Sequence, residues 1–373
     1  MRSWFWLYLW VAIAALPAVA LAQEKASETA LDSSTDDIQY RVIGFLRLEG
    51  AAIQDDPNVA FVGRNDGFRL QNARIGLDGT WKERVTLRIS ADGAVDERDD
   101  PNAVEGRLRL ALRDAYADAH FGHKIDLRIA RFKARYDIEE LTSTADMPFI
   151  DRALSSRGTR ATEGFESRGL GVQRNLGIAL RSEGFASVAS MRFDFELAAQ
   201  NGNGDLDAAN DNNALAYSAS VAGRFGAHSM VLLGARHNSR TEGELPFRRA
   251  EDDLGGVVAV RYWRSPLRLT AQGIYQRTTF GTTGGPSQNS YGVHAEGLAQ
   301  MPTLTWLEVG YRYALLEPSD LIPSDQVQEH TVGVNIKVRD YRLDVQINAT
   351  HTVEETGRVL SNDRLEALVQ VAL

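Results

Sequence analysis

Apolar and polar residues alternate along most of this 373-residue chain, from about Asp37 to the C-terminus. Between Tyr341 and Ala349 every second residue is apolar or aromatic, and Arg, Asp, Gln and Asn stand between them. The same period of two recurs from Leu365 to Leu373. Successive side chains of a β-strand point to opposite faces, so each such segment has one apolar face and one wet face. The pattern therefore predicts an all-β chain.

Sixteen candidate strands follow from this alternation, and many have the ~9–11 residues that a tilted strand needs to cross a bilayer, against ~5–6 for soluble strands. Short turns alternate with long polar loops, as in membrane barrels. The sequence thus predicts a transmembrane antiparallel β-barrel of about 16 strands, closed so that no edge is left unpaired. We expect strands at about 38–51, 67–79, 84–94, 105–119, 124–132, 168–183, 187–199, 214–225, 228–238, 255–264, 267–279, 290–300, 303–315, 328–338, 341–350 and 364–373.

Composition narrows the functional classes. The chain has no cysteine, which excludes disulfide scaffolds, thiolate metal sites and cysteine nucleophiles. Its formal net charge of −9 disfavours nucleic acid as a partner, because nucleic-acid binding needs a basic face. The mean hydropathy of −0.28, with no long internal apolar run, excludes a bundle of membrane-spanning helices.

The N-terminus indicates export. Arg2 precedes an apolar run that ends at the small-x-small site Ala20–Ala22, so residues 1–22 are predicted to be a signal peptide. Residues 23–37 are polar and without periodicity, and we expect a flexible segment there. Residues 38–373 then form the barrel, and such a barrel belongs in the bacterial cell outer membrane, in contact with its lipid and lipopolysaccharide.

One predicted connection is much longer than the others, at about residues 133–167. Asp137–Leu141 and Pro148–Ser155 have helical character, and apolar residues such as Phe149 and Leu154 need a surface to pack against. A loop of this length inside a compact fold is usually functional. The lumen of a sixteen-strand barrel is too wide to be filled by strand side chains alone. We therefore predict that 133–167 folds into the lumen as a constriction loop.

Several motifs in this region resemble the phosphate-selective porin O and P family over roughly residues 68–175. Upstream segments that begin at Asn72 (NARIGLDG) and Leu112 (LRDAYADAHFG) look like that family's paired strands. Three further motifs follow in order, at Phe132–Ser143 (FKARYDIEELTS), Phe149–Leu154 (FIDRAL) and Ser167–Val172 (SRGLGV).

The resemblance implies a porin, a water-filled channel for passive diffusion of small hydrophilic solutes or ions, with phosphate or other anions as the named members' preference. It also implies a homotrimer. Arg135 and Asp137 stand where the family's pattern has Pro and Gly, and the chain ends in Leu373 rather than an aromatic residue.

Pore selectivity follows the sign and placement of the lining charges. Of the 41 basic residues 36 are arginine, which suits bidentate contacts with oxyanions and also pairs well with carboxylates. Residues 131–168 carry seven basic and seven acidic side chains, so composition alone does not establish phosphate selectivity. The residues predicted to form the constriction and set selectivity are Lys133, Arg135, Glu139, Glu140, Asp151, Arg152, Arg157, Arg160 and Arg168.

A second set of arginines on the strands is predicted to form a basic pore wall that faces the loop carboxylates: Arg41, Arg47, Arg74, Arg88 and Arg109. Opposite charges across a constriction would create a transverse field that orders polar solutes. The alternative is that these arginines are structural groups whose salt bridges hold the loop down.

No enzyme motif accompanies the seven histidines, and neither G-x-S-x-G nor H-E-x-x-H occurs. We therefore expect no catalytic residue, no metal and no cofactor. The Asp/Asn-rich stretch 201–213 lacks the EF-hand pattern. Two alternatives to the porin remain open from sequence, namely a barrel hydrolase of the outer membrane and a soluble periplasmic β-protein.

Overall fold

The computed structural model describes residues 37–63, 66–94, 108, 110–122, 124–202, 209–210, 212–226, 228–243, 246–281, 285–338, 341–355 and 359–373. The predicted signal peptide (1–22) and almost all of the predicted flexible segment (23–37) lie outside these residues, as does Arg109. In the described part of the chain, no helix is long and apolar enough to cross a membrane.

Sixteen strands close into one antiparallel barrel, and each strand pairs with its neighbours in chain order. Closure is made by the first and last strands, where Phe45 lies opposite Ala372. The predicted fold class and strand number are confirmed. The barrel strands are β1 (Ile38–Ile53), β2 (Gly67–Trp81), β3 (Val85–Asp92), β4 (Ala111–Phe121), β5 (Ile125–Lys133), β8 (Arg174–Val188), β9 (Met191–Gln200), β10 (Ala216–Phe225), β11 (Met230–Glu242), β12 (Arg249–Arg264), β13 (Leu267–Phe280), β14 (Ser287–Gln300), β15 (Leu307–Glu317), β16 (Val327–Val338), β17 (Leu343–Glu354) and β18 (Arg364–Ala372).

The two faces of the wall have opposite chemistry, and the charged face is the buried one. On β1, Leu46 is 49 % exposed while its neighbour Arg47 is 1 % exposed. The same inversion holds on β12, where the outward Val258 is exposed and the inward Asp253 is buried. A soluble sandwich would bury the apolar residues instead. An apolar exterior around a polar interior is the arrangement that lipid outside and water inside require.

Short turns lie at one end of the barrel and long connections at the other, as the sequence predicts. One predicted turn is wrong, namely the turn at Glu183–Phe185 between the expected strands 168–183 and 187–199. The chain continues as β8 and turns only at residues 189–190, because a bulge between Ser182 and Ala186 absorbs the irregular stretch. Gly184 takes a positive φ of 70° in that bulge, so its glycine marks a kink within a strand rather than the end of one.

The chain leaves the wall after Lys133 and rejoins it at Arg174, and residues 134–173 are called the inner segment below. It contains the helices α1 (Ile138–Leu141) and α2 (Leu154–Arg157), two single 3-10 turns (Thr144–Asp146 and Ala161–Glu163) and a small hairpin of β6 (Gly158–Thr159) and β7 (Ser167–Arg168). Residues 168–173, predicted to begin the sixth strand, therefore belong to this segment, since Ser167 and Arg168 pair within the hairpin.

Candidate functional site

The inner segment lies against lumen-facing side chains of distant strands. Its backbone carbonyls at Pro148 and Met147 accept hydrogen bonds of 2.8 Å from Asn335 on β16 and Gln346 on β17. Arg47 on β1 donates to the carbonyl of Ile150 at 3.3 Å. Because β16 and β17 lie nearly opposite β5 in the order of strands around the barrel, these contacts place the segment across the interior of the barrel.

Apolar packing fixes the same stretch. Phe149, Ile150 and Leu154 are fully buried. A Cβ at Gly333 on β16 would come within 2.8 Å of the Phe149 ring, so the ring packs directly on the strand backbone. The apolar residues of the predicted loop thus pack against the wall itself.

The first helix is held by polar contacts. Asp137 caps α1 and accepts hydrogen bonds from the backbone N–H of Glu139 at 2.9 Å and from the Gln272 amide at 2.8 Å. Burial, together with the neighbouring carboxylates of Glu140 and Glu139, raises the pKa of the Asp137 carboxyl. Asp137 has φ −105°, a conformation open to any residue, so the absence of the family's glycine costs nothing at this position.

An ion clamp fastens the second half of the inner segment, and we define it as Arg157, Glu163, Glu329 and Arg364. Arg157 contacts Glu163 at 2.6 Å and Glu329 of β16 at 2.8 Å. Arg364 of β18 contacts Glu329 at 2.6 Å and Glu163 at 3.7 Å. All four side chains are buried, so each charge depends on the others for its partners.

A bidentate pair adjoins the clamp. Both guanidinium nitrogens of Arg160 contact the Asp151 carboxylate at 2.8 Å. Burial opposes ionisation of Asp151, but Arg160, Arg157 and Arg69 outweigh it and hold the pKa of that carboxyl well below its usual range. The same balance, with Arg157 and Arg364 as the main cations, lowers the pKa of Glu163 to about 2.

A basic cavity of about 170 Å³ lies between the inner segment and the wall formed by β1, β2, β4, β5 and β8. Nine cationic side chains line it, against two carboxylates, Glu140 and Asp151. The cations are Arg47, Arg69, Arg74, Arg113, Lys133, Arg152, Arg157, Arg160 and Arg174.

Further carboxylates pair with these cations without lining the cavity. Asp92 contacts Arg74 at 3.1 Å, and Asp114 contacts Arg174 at 2.7 Å. Glu49 pairs with Arg69 at 2.5 Å. None of the three lines the cavity, and Asp92 and Glu49 are buried, so the charge on the cavity lining is predominantly positive.

The structure brings eight of the predicted residues to this cavity: Arg47, Arg74, Lys133, Glu140, Asp151, Arg152, Arg157 and Arg160. Glu139 is buried beside it, where its carboxylate accepts the Ala153 N–H at 2.8 Å and lies 3.6 Å from Arg312. Burial opposes its ionisation, but His294, Arg312 and Arg152 lower the pKa of Glu139.

Four predicted residues lie elsewhere among the described residues. Arg41 and Arg88 both pair with Asp78 on β2, at 3.3 Å and 2.6 Å, and neither lines the cavity. Arg135 is buried against Asp194 at 3.6 Å on the β9 wall. Arg168 is 70 % exposed and pairs with Glu242 at the end of β11. Arg41 and Arg88 thus have a strand residue as their partner rather than a loop carboxylate, and their part in a basic wall stays a prediction.

The sequence pattern did not predict Arg69, Arg113 and Arg174 of the cavity. It also did not predict Glu329 and Arg364, the two clamp residues that lie on barrel strands. The alternation of the last strand could have indicated Arg364, because this residue is the first on the polar, lumen-facing side of that strand. For the others, alternation gives the inward face but not the depth in the barrel at which the inner segment crosses.

The described residues of the lumen bear on two other functions, catalysis and metal binding. Ser155 and His294 share a 3.0 Å hydrogen bond, but they are 0 % and 2 % exposed, so no solute reaches them. Within the residues that the structure describes, no three acidic or histidine side chains are grouped so as to hold a metal ion.

Solved structures with the same fold are porins and other outer-membrane proteins. An anion-selective porin from Comamonas acidovorans has a TM-score of 0.61 at 14 % identity, over 90 % of this chain and 100 % of the other. OmpF of Salmonella typhi in complex with daunomycin has 0.60 at 13 %, over 91 % and 99 %. The trimer form of OmpT, an outer membrane protein of Vibrio cholerae, has 0.57 at 12 %, over 91 % and 100 %. At these identities the likeness establishes the fold alone.

Comparison with curated protein sequences gives no match. The family model described as "Phosphate-selective porin O and P" matches residues 50–262, more than half of the chain. This range includes β2 to β5, the whole inner segment and most of the basic cavity. The chain therefore belongs to the phosphate-selective porin O and P family and forms an outer-membrane channel.

Proposed function

We propose that this porin lets small hydrophilic anions, phosphate among them, diffuse passively across a bacterial outer membrane, and that the basic cavity sets the preference for anions. The observation that carries the proposal is the excess of nine cations over two carboxylates around that cavity. A channel favours solutes whose charge is opposite to that of its lining. The inner segment acts as the constriction loop, because it supplies half of the residues that line this cavity.

Arginine chemistry supports an oxyanion as the solute. Eight of the nine cations are arginines, whose planar donors match two oxygens of a phosphate or carboxylate at once. Paired carboxylates such as Asp92 and Glu49 hold guanidinium groups of the lining in place. Within the predicted set, we assign selectivity to Arg47, Arg74, Lys133, Glu140, Arg152 and Arg160, and to Asp151 the part of holding Arg160 in place.

We propose a passive channel rather than an enzyme, because the catalytic-like series of Thr86, His120 and Asp126 lacks an oxyanion hole. Thr86, His120 and Asp126 do form a hydroxyl–imidazole–carboxylate series, with contacts of 2.9 Å and 2.7 Å. Thr86 is, however, in a three-strand ladder opposite Thr80 and Asp118, so nearby backbone N–H groups are committed to strand pairing and form no oxyanion hole. We expect no turnover of p-nitrophenyl esters; turnover that His120→Asn abolishes would contradict this assignment.

The fold also supports a proposal for the partners of this protein. The apolar exterior fits outer-membrane lipid and lipopolysaccharide as partners. A homotrimer is the assembly we propose, since the similar barrel of OmpT from Vibrio cholerae is described in a trimer form.

The test is a matched pair of arginine variants. Arg74 and Arg88 are both lumen-facing and both paired with an aspartate, but only Arg74 lines the cavity. In planar bilayers under a salt gradient, the wild type should show an anion-selective reversal potential. Arg74→Gln should lower the anion-to-cation permeability ratio by about threefold, the effect of one charge near the path, and Arg88→Gln should change it much less. A cation-selective wild type, or equal effects of the two variants, would overturn the proposal.

A further inference from the structure

Glu140 differs from the other carboxylate that lines the basic cavity. It lies in α1 on the inner segment and forms ion pairs with two of the nine cations, Lys133 and Arg152, the second at 3.1 Å. The Lys133 and Arg152 side chains are each about one-seventh exposed, so they are open to a solute that enters the cavity.

Neither cation needs the Glu140 carboxylate to stay in place. The Lys133 ammonium also donates to the backbone carbonyl of Glu140 at 3.0 Å. Arg152 donates to the backbone carbonyl of Glu139, and to that of Thr142 at 3.3 Å. Backbone carbonyls remain when a side chain is replaced, so both cations keep an anchor without the carboxylate.

Asp151, the other carboxylate of the cavity, is the main partner of the cation that it contacts. It is buried, and its two oxygens are both occupied by Arg160 in a bidentate pair beside the ion clamp. Removing its charge would leave a guanidinium without its main partner and loosen the inner segment. The charge of Asp151 therefore serves the fold, whereas the two cations that face Glu140 keep their backbone anchors when its charge is removed.

We propose that Glu140 is a specificity-determining residue that acts as a built-in counter-anion of the basic cavity. An entering oxyanion competes with the Glu140 carboxylate for the donors of Lys133 and Arg152. This competition weakens solute binding, and a channel needs binding weak enough for the solute to leave. The inference rests on the anion preference proposed above and deepens it by assigning the residue that limits it.

The experiment compares Glu140→Gln with Glu317→Gln in planar bilayers. Glu317 ends β15 outside the cavity, where its carboxylate accepts from Gln326 at 3.4 Å, so its variant removes the same net charge elsewhere. Glu140→Gln should raise the anion-to-cation permeability ratio by about threefold. It should also lower the concentration of inorganic phosphate that half-saturates the current, because phosphate no longer competes with a carboxylate. Glu317→Gln should match the wild type.

Glu140→Asp serves as the conservative rescue, since it keeps the charge and should give a ratio close to wild type. An unchanged ratio in Glu140→Gln, alongside a lowered ratio in Arg74→Gln, would overturn the role of Glu140 and leave the anion channel standing. If Arg74→Gln also has no effect, the basic cavity does not set selectivity and both proposals fall. An unfolding midpoint equal to wild type establishes that Glu140→Gln is folded.

Discussion

The ion clamp and the basic cavity lie side by side in the lumen, and both are built largely of arginine. In the clamp, Arg157 and Arg364 meet Glu163 and Glu329 at close range, and Glu366 lies 3.3 Å from Arg364. In the cavity, nine cations face only two carboxylates. Arginine in this lumen thus has no fixed role. The two groups differ in where their carboxylates lie: those of the clamp are buried between its arginines, whereas only two carboxylates line the cavity, and Arg157 belongs to both groups.

The largest effect should follow from breaking the clamp. Arg364→Ala would leave Glu163, Glu329 and Glu366 buried near one another with one cation fewer, a change that costs about 3–5 kcal/mol for a buried pair. We expect a large drop in the urea midpoint of the protein refolded in vesicles, and noisier, higher single-channel conductance as the inner segment detaches.

The double variant Arg364→Met with Glu329→Met is the control for this prediction. It removes a cation and a carboxylate together and fills the space with apolar side chains, which is often close to neutral. Its midpoint should lie nearer to wild type than that of Arg364→Ala. If the single variant is as stable as wild type, the clamp does not hold the segment.

Acid should release the segment only at very low pH. The pKa of Glu163 is lowered to about 2 and that of Asp151 lies well below its usual range, so both carboxylates favour the folded, ionised state. The contribution of Glu163 is fully present above the unfolded value of about 4.3 and is lost as the pH falls towards about 2, and the contribution of Asp151 is likewise lost only in acid.

Conductance recorded from pH 7 down to pH 2 measures this release. We expect it to stay constant to about pH 4 and to change near pH 2–3, where Glu163 gains its proton. Glu163→Gln should show the low-pH behaviour already at pH 7. A transition centred near pH 5 would show that other groups fasten the segment.

A smaller effect should follow from Arg160→Lys, which keeps the charge but loses the bidentate contact with Asp151. Lysine is a point charge and cannot replace the planar fork, so stability should fall by about 1–2 kcal/mol. The reversal potential should stay near wild type because the cavity keeps its charge. Arg160→Gln, which removes that charge, should lower both the urea midpoint and the permeability ratio. Equal permeability ratios in the two variants would contradict the view that the charge of Arg160 sets selectivity while its bidentate contact adds stability.

Local periodicity was enough to predict the barrel, because an alternating strand has only one way to satisfy lipid on one face and water on the other. It was not enough for the turn after β8, where Gly184 sits in a bulge and the strand continues. A kink and a turn have the same local composition, and only the pairing with the next strand distinguishes them.

The sequence predicts that arginines face the lumen, but not which of them line the cavity. Arg74 and Arg88 belong to the same class in the sequence, inward arginines on neighbouring strands, yet only Arg74 reaches the cavity. The difference is their depth along the barrel relative to the inner segment, which alternation does not encode. The partner of Arg157 in the clamp, Glu329, lies 172 residues away in the chain, so no local motif could have paired them.

The smallest effect is expected at Arg168, which the sequence placed in the constriction together with Arg152 and Arg160. Its side chain is 70 % exposed and its partner Glu242 lies at the long-loop end of β11, outside the cavity. Exposed ion pairs contribute about 0–1 kcal/mol, and salt screens a charge at the mouth far more than one in the lumen. Arg168→Gln should therefore leave the urea midpoint, and the reversal potential under the same salt gradient, within error of wild type. A fall in the permeability ratio as large as that of Arg74→Gln would mean that selectivity is set at the channel mouth, and the comparison between clamp and cavity would then describe only how the inner segment is held.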